Sequence, residues 1–280
     1  MNTWDIKVLL LGKITMPFST MLAIHYPFGA PKVEEDFQIE GPYLGFLLQR
    51  EGRNIMVDTG ISEKFFVDGK AWMGLPAEGG EDYVLEALKK EGLGTGDIDT
   101  VIYTHLHNDH AGNCHLFKKA DLIFQRDEWQ NLLNRLPAQE VRRDYDPDLI
   151  DELKAANCYR IDGDIELVDG IRIYKTPGHT RGSQSVAVNT GKGVVVLLGD
   201  LLTSYISAFP RMGEITDMKG VKRRVPPAPE AFGDQGIPGG ITYDFYDFYD
   251  SLNKVKAIAS RDAPGFIIPG HETSLVITGI

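Results

Sequence analysis

Residues 103–113 (YTHLHNDHAGN) gather side chains that can bind a metal ion. Three of the chain's seven histidines lie here together with an aspartate, as His105, His107, Asp109 and His110. Neutral imidazoles and carboxylates are the usual ligands of zinc and related divalent metals. A single histidine is usually a satisfied core residue, whereas packing does not explain a cluster of three. The segment therefore predicts a metal site.

The spacing of His105 and His107 indicates extended backbone rather than a helix. Side chains two residues apart point the same way on a strand but not on a helix, so the helical H-E-x-x-H class of zinc sites is excluded. The preceding run DTVIYTH predicts a short buried strand. The candidate ligands would then fan out from the carboxyl end of that strand, where α/β proteins tend to place their sites.

Three further residues of ligand type also follow predicted strands. His179 lies in TPGHTRG, Asp200 in VVVLLGD and His271 in IIPGHE. Their repeated placement at strand ends makes them candidate ligands. His25, in AIHYPFG, has no such setting and is expected in a surface loop. His115 closely follows the cluster, and a structural or supporting role is expected for it.

Short apolar runs alternate with helical patterns along the chain, and this order predicts the architecture. NIMVDTG and VVVLLGD each form the second strand of a predicted hairpin, and each ends in an aspartate beside a glycine. This weak internal symmetry fits a layered α/β sandwich of two sheets with helices outside. Because no low-complexity linker divides the halves, we predict one domain over residues 1–280.

The apolar spacing of two segments predicts amphipathic helices that pack on the core. In EDYVLEALKKEGL, the predicted apolar face consists of Val84, Leu85 and Leu88. In YDFYDFYDSLNKVKAIAS, it consists of Phe245, Phe248, Leu252 and Val255.

Residues 203–242 show no convincing periodicity. They contain the basic run KGVKRRVPPAPEAFG and the glycine- and proline-rich GIPGG. A structureless segment of that length is usually a lid, a binding loop or disordered. A long loop insertion is therefore predicted here, either as a surface insertion or as a cover over the site.

The composition narrows the class of partner. The 29 basic and 40 acidic residues leave a formal net charge of −11, and such a surface repels nucleic acid and anionic membranes. No apolar stretch approaches the roughly 20 residues of a membrane span, and VLLLG near the N-terminus is too short for a signal-peptide core. Cys114 and Cys158 are too few for a disulfide framework. A reduced, cytoplasmic chain is expected, with both cysteines as buried apolar residues and Cys114 as an alternative ligand.

The pattern H-x-H-x-D-H, followed at long intervals by His, Asp and His, resembles the metallo-β-lactamase superfamily. The resemblance runs from Asp58 in NIMVDTG to His271 in PGHE, and it implies an αββα four-layer sandwich with a two-metal site. The ligands that it implies for the first metal are His105, His107 and His179. Those for the second metal are Asp109, His110 and His271, with Asp200 as the bridge. The resemblance also gives Asp58 a supporting role behind the site.

The cofactor that the resemblance implies is a pair of divalent ions, with zinc expected and iron, cobalt or manganese as alternatives. Two ions about 3.5–4 Å apart can share a water and lower its pKa toward roughly 7, so that a bridging hydroxide attacks a carbonyl. No serine or cysteine nucleophile is then required. An open site with seven ligands would be a poor structural zinc site, which disfavours a non-catalytic binding module.

Within the superfamily, the chain is most similar to the N-acyl homoserine lactonase group, single-domain enzymes that open the lactone ring of bacterial quorum signals. The similar segments are GPYLGFLLQREGRNIMVDTG, THLHNDHAGN, TPGHTRGSQSVAV and PGHE. Those lactonases commonly carry a tyrosine three residues after the bridging aspartate, where this chain has Thr203. Tyr205 either substitutes for that tyrosine or is an ordinary pocket or surface residue. The candidate catalytic residues are Asp109 and Tyr205.

The expected function is therefore the opening of a small-molecule lactone, an N-acyl homoserine lactone or a related compound. One alternative is a thioester or other ester hydrolase of the same fold. Another is a persulfide dioxygenase, an enzyme class that shares the fold and uses a single iron held by two histidines and an aspartate. Neither a nucleic acid nor a membrane is expected as a partner, and a homodimer stays open.

Overall fold

Two β-sheets pack face to face, and helices cover their outer faces. The computed structural model describes residues 2–18, 37–230 and 233–280. The strands of the larger sheet are β1 (Asp5–Pro17), β2 (Gln38–Arg50), β3 (Arg53–Val57), β4 (Ala77–Gly79), β5 (Thr100–Ile102), β6 (Asp121–Gln125) and β7 (Asn157–Ile161). Their order is β4-β1-β2-β3-β5-β6-β7, and β3, β5, β6 and β7 run parallel.

The second sheet repeats part of this arrangement. The remaining strands are β8 (Ile165–Val168), β9 (Ile171–Lys175), β10 (Gln184–Thr190), β11 (Gly193–Leu197), β12 (Glu214–Thr216), β13 (Lys222–Arg224) and β14 (Ile267–Ile268). Five of them form the sheet in the order β14-β11-β10-β9-β8. The hairpin β10–β11 is followed by the parallel neighbour β14, just as the hairpin β2–β3 is followed by β5. The predicted internal symmetry is present in these two units.

Alternation along the strands sorts the apolar residues into separate layers, because successive strand side chains point to opposite faces of a sheet. In β3, Ile55 and Val57 join the core between the two sheets, whereas Met56 packs on the helical side. In β11, Val195 belongs to the central core and Val196 to the opposite, outer face. The order is helix, sheet, sheet, helix, which confirms the αββα prediction.

Helices flank both outer faces. The α-helices of the described residues are α1 (Glu81–Lys90), α2 (Asn108–Ala111), α3 (Arg126–Leu133), α4 (Pro137–Arg142), α5 (Leu149–Ala155), α6 (Tyr205–Ala208), α7 (Phe245–Ile258) and α8 (Leu275–Thr278). Apolar residues of α1, α3 and α5 cover the larger sheet, and those of α7 cover the second.

The two predicted amphipathic helices are present, but one residue of each predicted face is wrong. Leu85 of α1 is 43% exposed, and Ala87 is buried in its place. Phe245 of α7 is 57% exposed because it begins the helix, whereas Phe248, one turn further on, is fully buried.

Residues 203–242 contain more regular structure than their sequence indicates. Helix α6 and the hairpin β12–β13 both lie within them, so the prediction of a structureless insertion is wrong for these parts. Ile215 and Val225 of the segment are buried together with Phe18. Among the residues that the structure describes, no helix combines the length and apolar character that a membrane crossing requires.

Candidate metal centre

The side chains predicted as metal ligands converge in two groups at the carboxyl ends of strands. Within each group, one possible ligand atom per residue lies within 4.8 Å of the others. The three-histidine group consists of His105, His107 and His179. The mixed group consists of Asp109, His110, Asp200 and His271. All seven side chains that the sequence predicted as ligands are thus brought together.

Both sheets contribute to each group. His105 and His107 follow β5 of the larger sheet, and α2 places Asp109 and His110 directly after them. The second sheet contributes the other ligands at the ends of its strands. His179 follows β9, Asp200 follows β11 and His271 follows β14.

The carboxylate of Asp200 lies between the two groups. Its Oδ1 atom is 3.0 Å from Nε2 of His271 and 3.3 Å from Nε2 of His110. Its Oδ2 atom is 3.7 Å from Nε2 of His179. One oxygen therefore faces each group. The neighbouring Gly270 permits this close packing, since a Cβ there would lie 2.7 Å from Oδ1 of Asp200.

Several buried polar atoms of the two groups lack a hydrogen-bond partner among the described residues. They include Nε2 of His105 and Nε2 of His107, while Nε2 of His110 and Oδ1 of Asp200 face each other at 3.3 Å without hydrogen-bond geometry. An unsatisfied buried polar group costs about 1–3 kcal/mol, so such a concentration calls for a ligand. Imidazole nitrogens and carboxylate oxygens suit zinc and similar divalent ions, and these residues therefore fit a metal centre.

Hydrogen bonds at Nδ1 orient three of the histidine rings toward the cluster. Nδ1 of His179 lies 2.5 Å from the carbonyl oxygen of Ile241, and Nδ1 of His271 lies 2.7 Å from that of Pro42. Nδ1 of His110 lies 2.8 Å from Oδ2 of Asp58. Because these oxygens only accept, each Nδ1 donates, and Nε2 is the ring nitrogen that faces the cluster. Nε2 of His179 lies 3.0 Å from Nδ1 of His107.

Asp58 supports ligands of both groups, at the position that the sequence predicted. Besides His110, it accepts hydrogen bonds of 2.7 Å from the backbone N–H and from the hydroxyl of Thr104. Since that hydroxyl donates to Asp58, it accepts from Nδ1 of His105 at 3.1 Å. Asp58 adopts the left-handed backbone (φ 59°) directly after β3, which aspartate tolerates better than most residues.

The two groups differ in charge. Burial lowers the pKa of His105 and His107 well below the ordinary value, and neighbouring imidazoles lower it further. Burial also lowers the pKa of His179. In the mixed group, burial opposes protonation of His271, but Asp200 and Asp109 raise its pKa to about 9. Burial likewise opposes protonation of His110, and the same two carboxylates with Asp58 raise its pKa well above the usual range.

A family model extends the similarity beyond these residues. The model described as the metallo-beta-lactamase superfamily matches residues 40–271, which span every ligand candidate. The chain belongs to the metallo-β-lactamase superfamily. This confirms the family that the H-x-H-x-D-H pattern indicated.

Relatives within the superfamily include lactonases. An N-acyl homoserine lactonase from Bacillus cereus is 35% identical over 164 residues, which are 56% of this chain and 62% of the relative. The chain therefore spans about three fifths of the length of the curated lactonases that it matches.

Solved structures of lactonases share the fold. An N-acyl homoserine lactone hydrolase with the product N-hexanoyl-L-homoserine at its catalytic metal centre has a TM-score of 0.69 and 23% identity, covering 97% of this chain and 94% of that one. AidC, described as a dizinc quorum-quenching lactonase, has a TM-score of 0.66 and 20% identity, covering 96% and 87%. At these identities the likeness shows a common metallo-β-lactamase fold.

Tyr205 is not brought to the metal centre, and this corrects the expectation that it acts in catalysis. Its hydroxyl accepts a hydrogen bond of 3.0 Å from the backbone N–H of Gly265. Gly265 precedes β14, whereas His271 follows it, so the hydroxyl lies toward the opposite end of that strand. The ring of Tyr205 belongs to the core between the sheets. Burial raises the pKa of its hydroxyl to about 12.

Thr203 does lie beside a candidate ligand. Its carbonyl oxygen accepts a hydrogen bond of 2.9 Å from the backbone N–H of His271, and its buried hydroxyl has no partner among the described residues. The end of the 203–242 segment also reaches the centre, because Ile241 holds the ring of His179.

The remaining histidines and cysteines lie outside both groups or outside the described residues. Nε2 of His115 is 2.8 Å from a carboxylate oxygen of Glu81, and His25 falls outside the described residues. Cys114 is buried and donates to Glu152 at 3.2 Å. Burial raises the pKa of its thiol, which indicates a structural residue.

One buried acid beside the three-histidine group was not predicted from the sequence. Glu128 of α3 is fully buried and accepts hydrogen bonds from residues next to the ligands. A signal was available, since Glu128 lies on the same helical face as the buried Leu132. An acidic residue on an apolar helix face needs buried partners.

Proposed function

We propose that this chain is a metal-dependent hydrolase that opens the ring of a lactone, with N-acyl homoserine lactones as the substrate class. The observation that carries the proposal is the position of Asp200, with one oxygen facing each of two ligand groups. The lactonase relatives support the choice of substrate. Hydrolysis of a thioester or another ester at the same centre is the alternative.

Two divalent ions would be held by these residues. The three-histidine group would hold one ion and the mixed group the other, with Asp200 shared between them. We propose zinc, with iron, cobalt and manganese as alternatives. When bound, such ions supply Lewis acidity, which polarises an ester carbonyl and lowers the pKa of a nucleophilic water.

The mixed group offers the more open approach for a substrate. The side chain of His271 is 17% exposed, and those of Asp200 and Asp109 are 11% and 10% exposed. In the three-histidine group, His179 is only 5% exposed at its side chain. A lactone carbonyl would therefore enter from the side of the mixed group, while the three histidines stay shielded from water.

Asp109 is the residue that we propose for proton transfer. Hydrolytic ring opening adds water to the carbonyl carbon, breaks the bond to the ring oxygen and leaves a hydroxyl that needs a proton. Oδ2 of Asp109 lies 3.6 Å from Nε2 of His271 on the more open side. A carboxylate there can take the proton of the attacking water and deliver it to the departing oxygen.

The test combines metal quantification with a hydrolysis panel. The purified protein is expected to contain about two divalent ions per chain and to open acyl homoserine lactones, and a chelator should abolish this activity until zinc is restored. The panel should also contain thioesters and other esters. If fully loaded protein cleaves thioesters but opens no lactone of any acyl length, the lactonase proposal is wrong. A single iron with oxygen uptake on a persulfide would indicate a dioxygenase.

A further inference from the structure

The three-histidine group combines loops from the two different sheets. His105 and His107 lie in the loop after β5, and His179 lies in the loop after β9. A metal ion shared by these histidines requires the two loops to keep a fixed relative position. Glu128, in the first turn of α3, lies against both loops and is fully buried.

Each carboxylate oxygen of Glu128 binds a different loop. Oε2 accepts a hydrogen bond of 2.9 Å from the backbone N–H of Leu106, which lies between His105 and His107. Oε1 accepts hydrogen bonds of 2.5 Å from the hydroxyl of Thr180 and 3.1 Å from the backbone N–H of Gly182. Thr180 directly follows His179 along the chain.

Close packing around Glu128 leaves little freedom for either loop. A Cβ at Gly182 would lie 2.4 Å from the backbone nitrogen of Glu128, so only glycine permits this approach. The hydroxyl of Tyr145 donates to Oε2 of Glu128 at 3.3 Å, and the ring of Tyr145 packs edge-on against His107 with centroids 4.7 Å apart. The acid therefore contacts the ligand loops directly and through Tyr145.

We propose that Glu128 is a positioning residue that joins the His105–His107 loop to the His179 loop, so that the three imidazoles can bind one metal ion. This inference rests on the metal centre of the proposed function. A buried carboxylate is costly unless hydrogen bonds satisfy it, and here four donors from three segments do so. A helix that only packed on the sheet would place an apolar residue at this position.

Replacing Glu128 by glutamine separates this role from simple packing, because the two side chains have the same shape. An amide offers one oxygen and one NH₂ group. The hydroxyls of Thr180 and Tyr145 can rotate to accept from that NH₂ group, but the backbone N–H groups of Leu106 and Gly182 cannot. In either orientation of the amide, one of the two loops loses its backbone hydrogen bond.

The experiment titrates metal-free Glu128→Gln protein with zinc and with cobalt in competition with a chromophoric chelator. The ion bound by the three-histidine group should bind about 10–100-fold more weakly than in the wild type, as is typical when a residue supporting a ligand is lost. The other ion should bind with unchanged affinity. The visible absorption of the cobalt-loaded protein should change for the weakened site, while circular dichroism of the metal-free protein stays the same.

Glu152→Gln is the matched control, because Glu152 is a partly buried acid that contacts Cys114 and belongs to neither ligand group. It should bind both ions with wild-type affinity. If Glu128→Gln does not fold, Thr180→Val serves instead, since it removes one donor and leaves the carboxylate in place. Thr180→Val should lower the affinity for the same ion, but by a smaller factor than Glu128→Gln.

The proposal is overturned if the folded Glu128→Gln protein, or Thr180→Val in its place, binds both ions as tightly as the wild type with an unchanged cobalt spectrum. This outcome is separable from failure of the proposed function. A wild-type protein that binds two ions and opens no lactone would contradict the lactonase proposal, but the effect of Glu128 on metal affinity would remain measurable.

Discussion

The two ligand groups lie side by side, yet they differ in how the protein balances their charge. The three-histidine group contains only imidazoles, and burial keeps the pKa values of His105 and His107 well below the ordinary value. The mixed group places two carboxylates beside two histidines with raised pKa values. The first group thus consists of imidazoles alone, whereas the second sets carboxylates against imidazoles.

Asp200 links the two kinds of site by facing both. Its pKa lies well below the ordinary value because, although burial raises it, the charges of His271 and His110 lower it more. The three-histidine group and the mixed group are expected to bind cations independently unless a shared ligand couples them. Mutations can therefore establish whether the centre behaves as two sites or as one.

The largest effect is expected from Asp200→Asn, which removes the charge that faces both groups. Both ions should bind more weakly, and hydrolysis should fall by more than about 100-fold, beyond the usual cost of losing a residue that supports a ligand. Metal content and lactone turnover measured on the same sample check this expectation. Loss of only one ion would show that Asp200 belongs to a single group.

Removing one histidine from each group should have the next largest effect. His179→Ala and His271→Ala are each expected to reduce the bound zinc from two ions to about one, because each leaves the other group intact. Elemental analysis after dialysis gives the stoichiometry. His115→Ala, outside both groups, should retain both ions. If either ligand variant lost both ions, the two groups would be one coupled site.

A smaller effect is expected for Asp58→Asn. Asp58 contacts His110 directly and His105 through Thr104, so the metal affinity of the mixed group should fall by about 10–100-fold. The three-histidine group should be affected less, because a hydroxyl intervenes. Competition with a chelator measures both affinities. The control is Asp99→Asn, which contacts Asn54 at the other end of β3, and equal losses in both variants would contradict a specific role.

Tyr205→Phe should have the smallest effect on the centre. Lactone turnover by the folded protein is expected to remain unchanged, since the hydroxyl contacts Gly265 rather than a ligand. Loss of this hydrogen bond should lower the free energy of unfolding by about 0.5–1.5 kcal/mol. Denaturant unfolding and steady-state kinetics test the two parts. The exposed Tyr246→Phe is the stability control, and a large fall in turnover would restore a catalytic role for Tyr205.

Much of the fold and of the ligand set was predictable because both depend on local patterns. Apolar runs followed by His, Asp or Pro-Gly-His predicted the strands and the candidate metal ligands at the carboxyl ends of those strands. The order of elements indicated two sheets with helices outside, and the resemblance of the His and Asp pattern indicated the family and its αββα layers. Periodicity was less reliable within helices, since Leu85 is adjacent to Val84 and therefore points about 100° away from it on a helix.

Features that depend on contacts distant in sequence were not predictable. Tyr205 meets Gly265, which lies 60 residues further along the chain, and no local pattern indicates that pairing. The hairpin β12–β13 has strands of only three residues, too short to show alternation. The helical face of Glu128 indicates a buried acid, but its partners Leu106 and Gly182 lie 22 and 54 residues away along the chain.

The distribution of ligands over both sheets has a consequence for folding. His105, His107, Asp109 and His110 come from the larger sheet, whereas His179, Asp200 and His271 come from the second. Neither half of the chain can assemble either ligand group before the sheets dock. Metal capture would then be a late event that fastens the two halves together, and an ion present at 100 times its dissociation constant would add about 2.7 kcal/mol to the stability of the docked state.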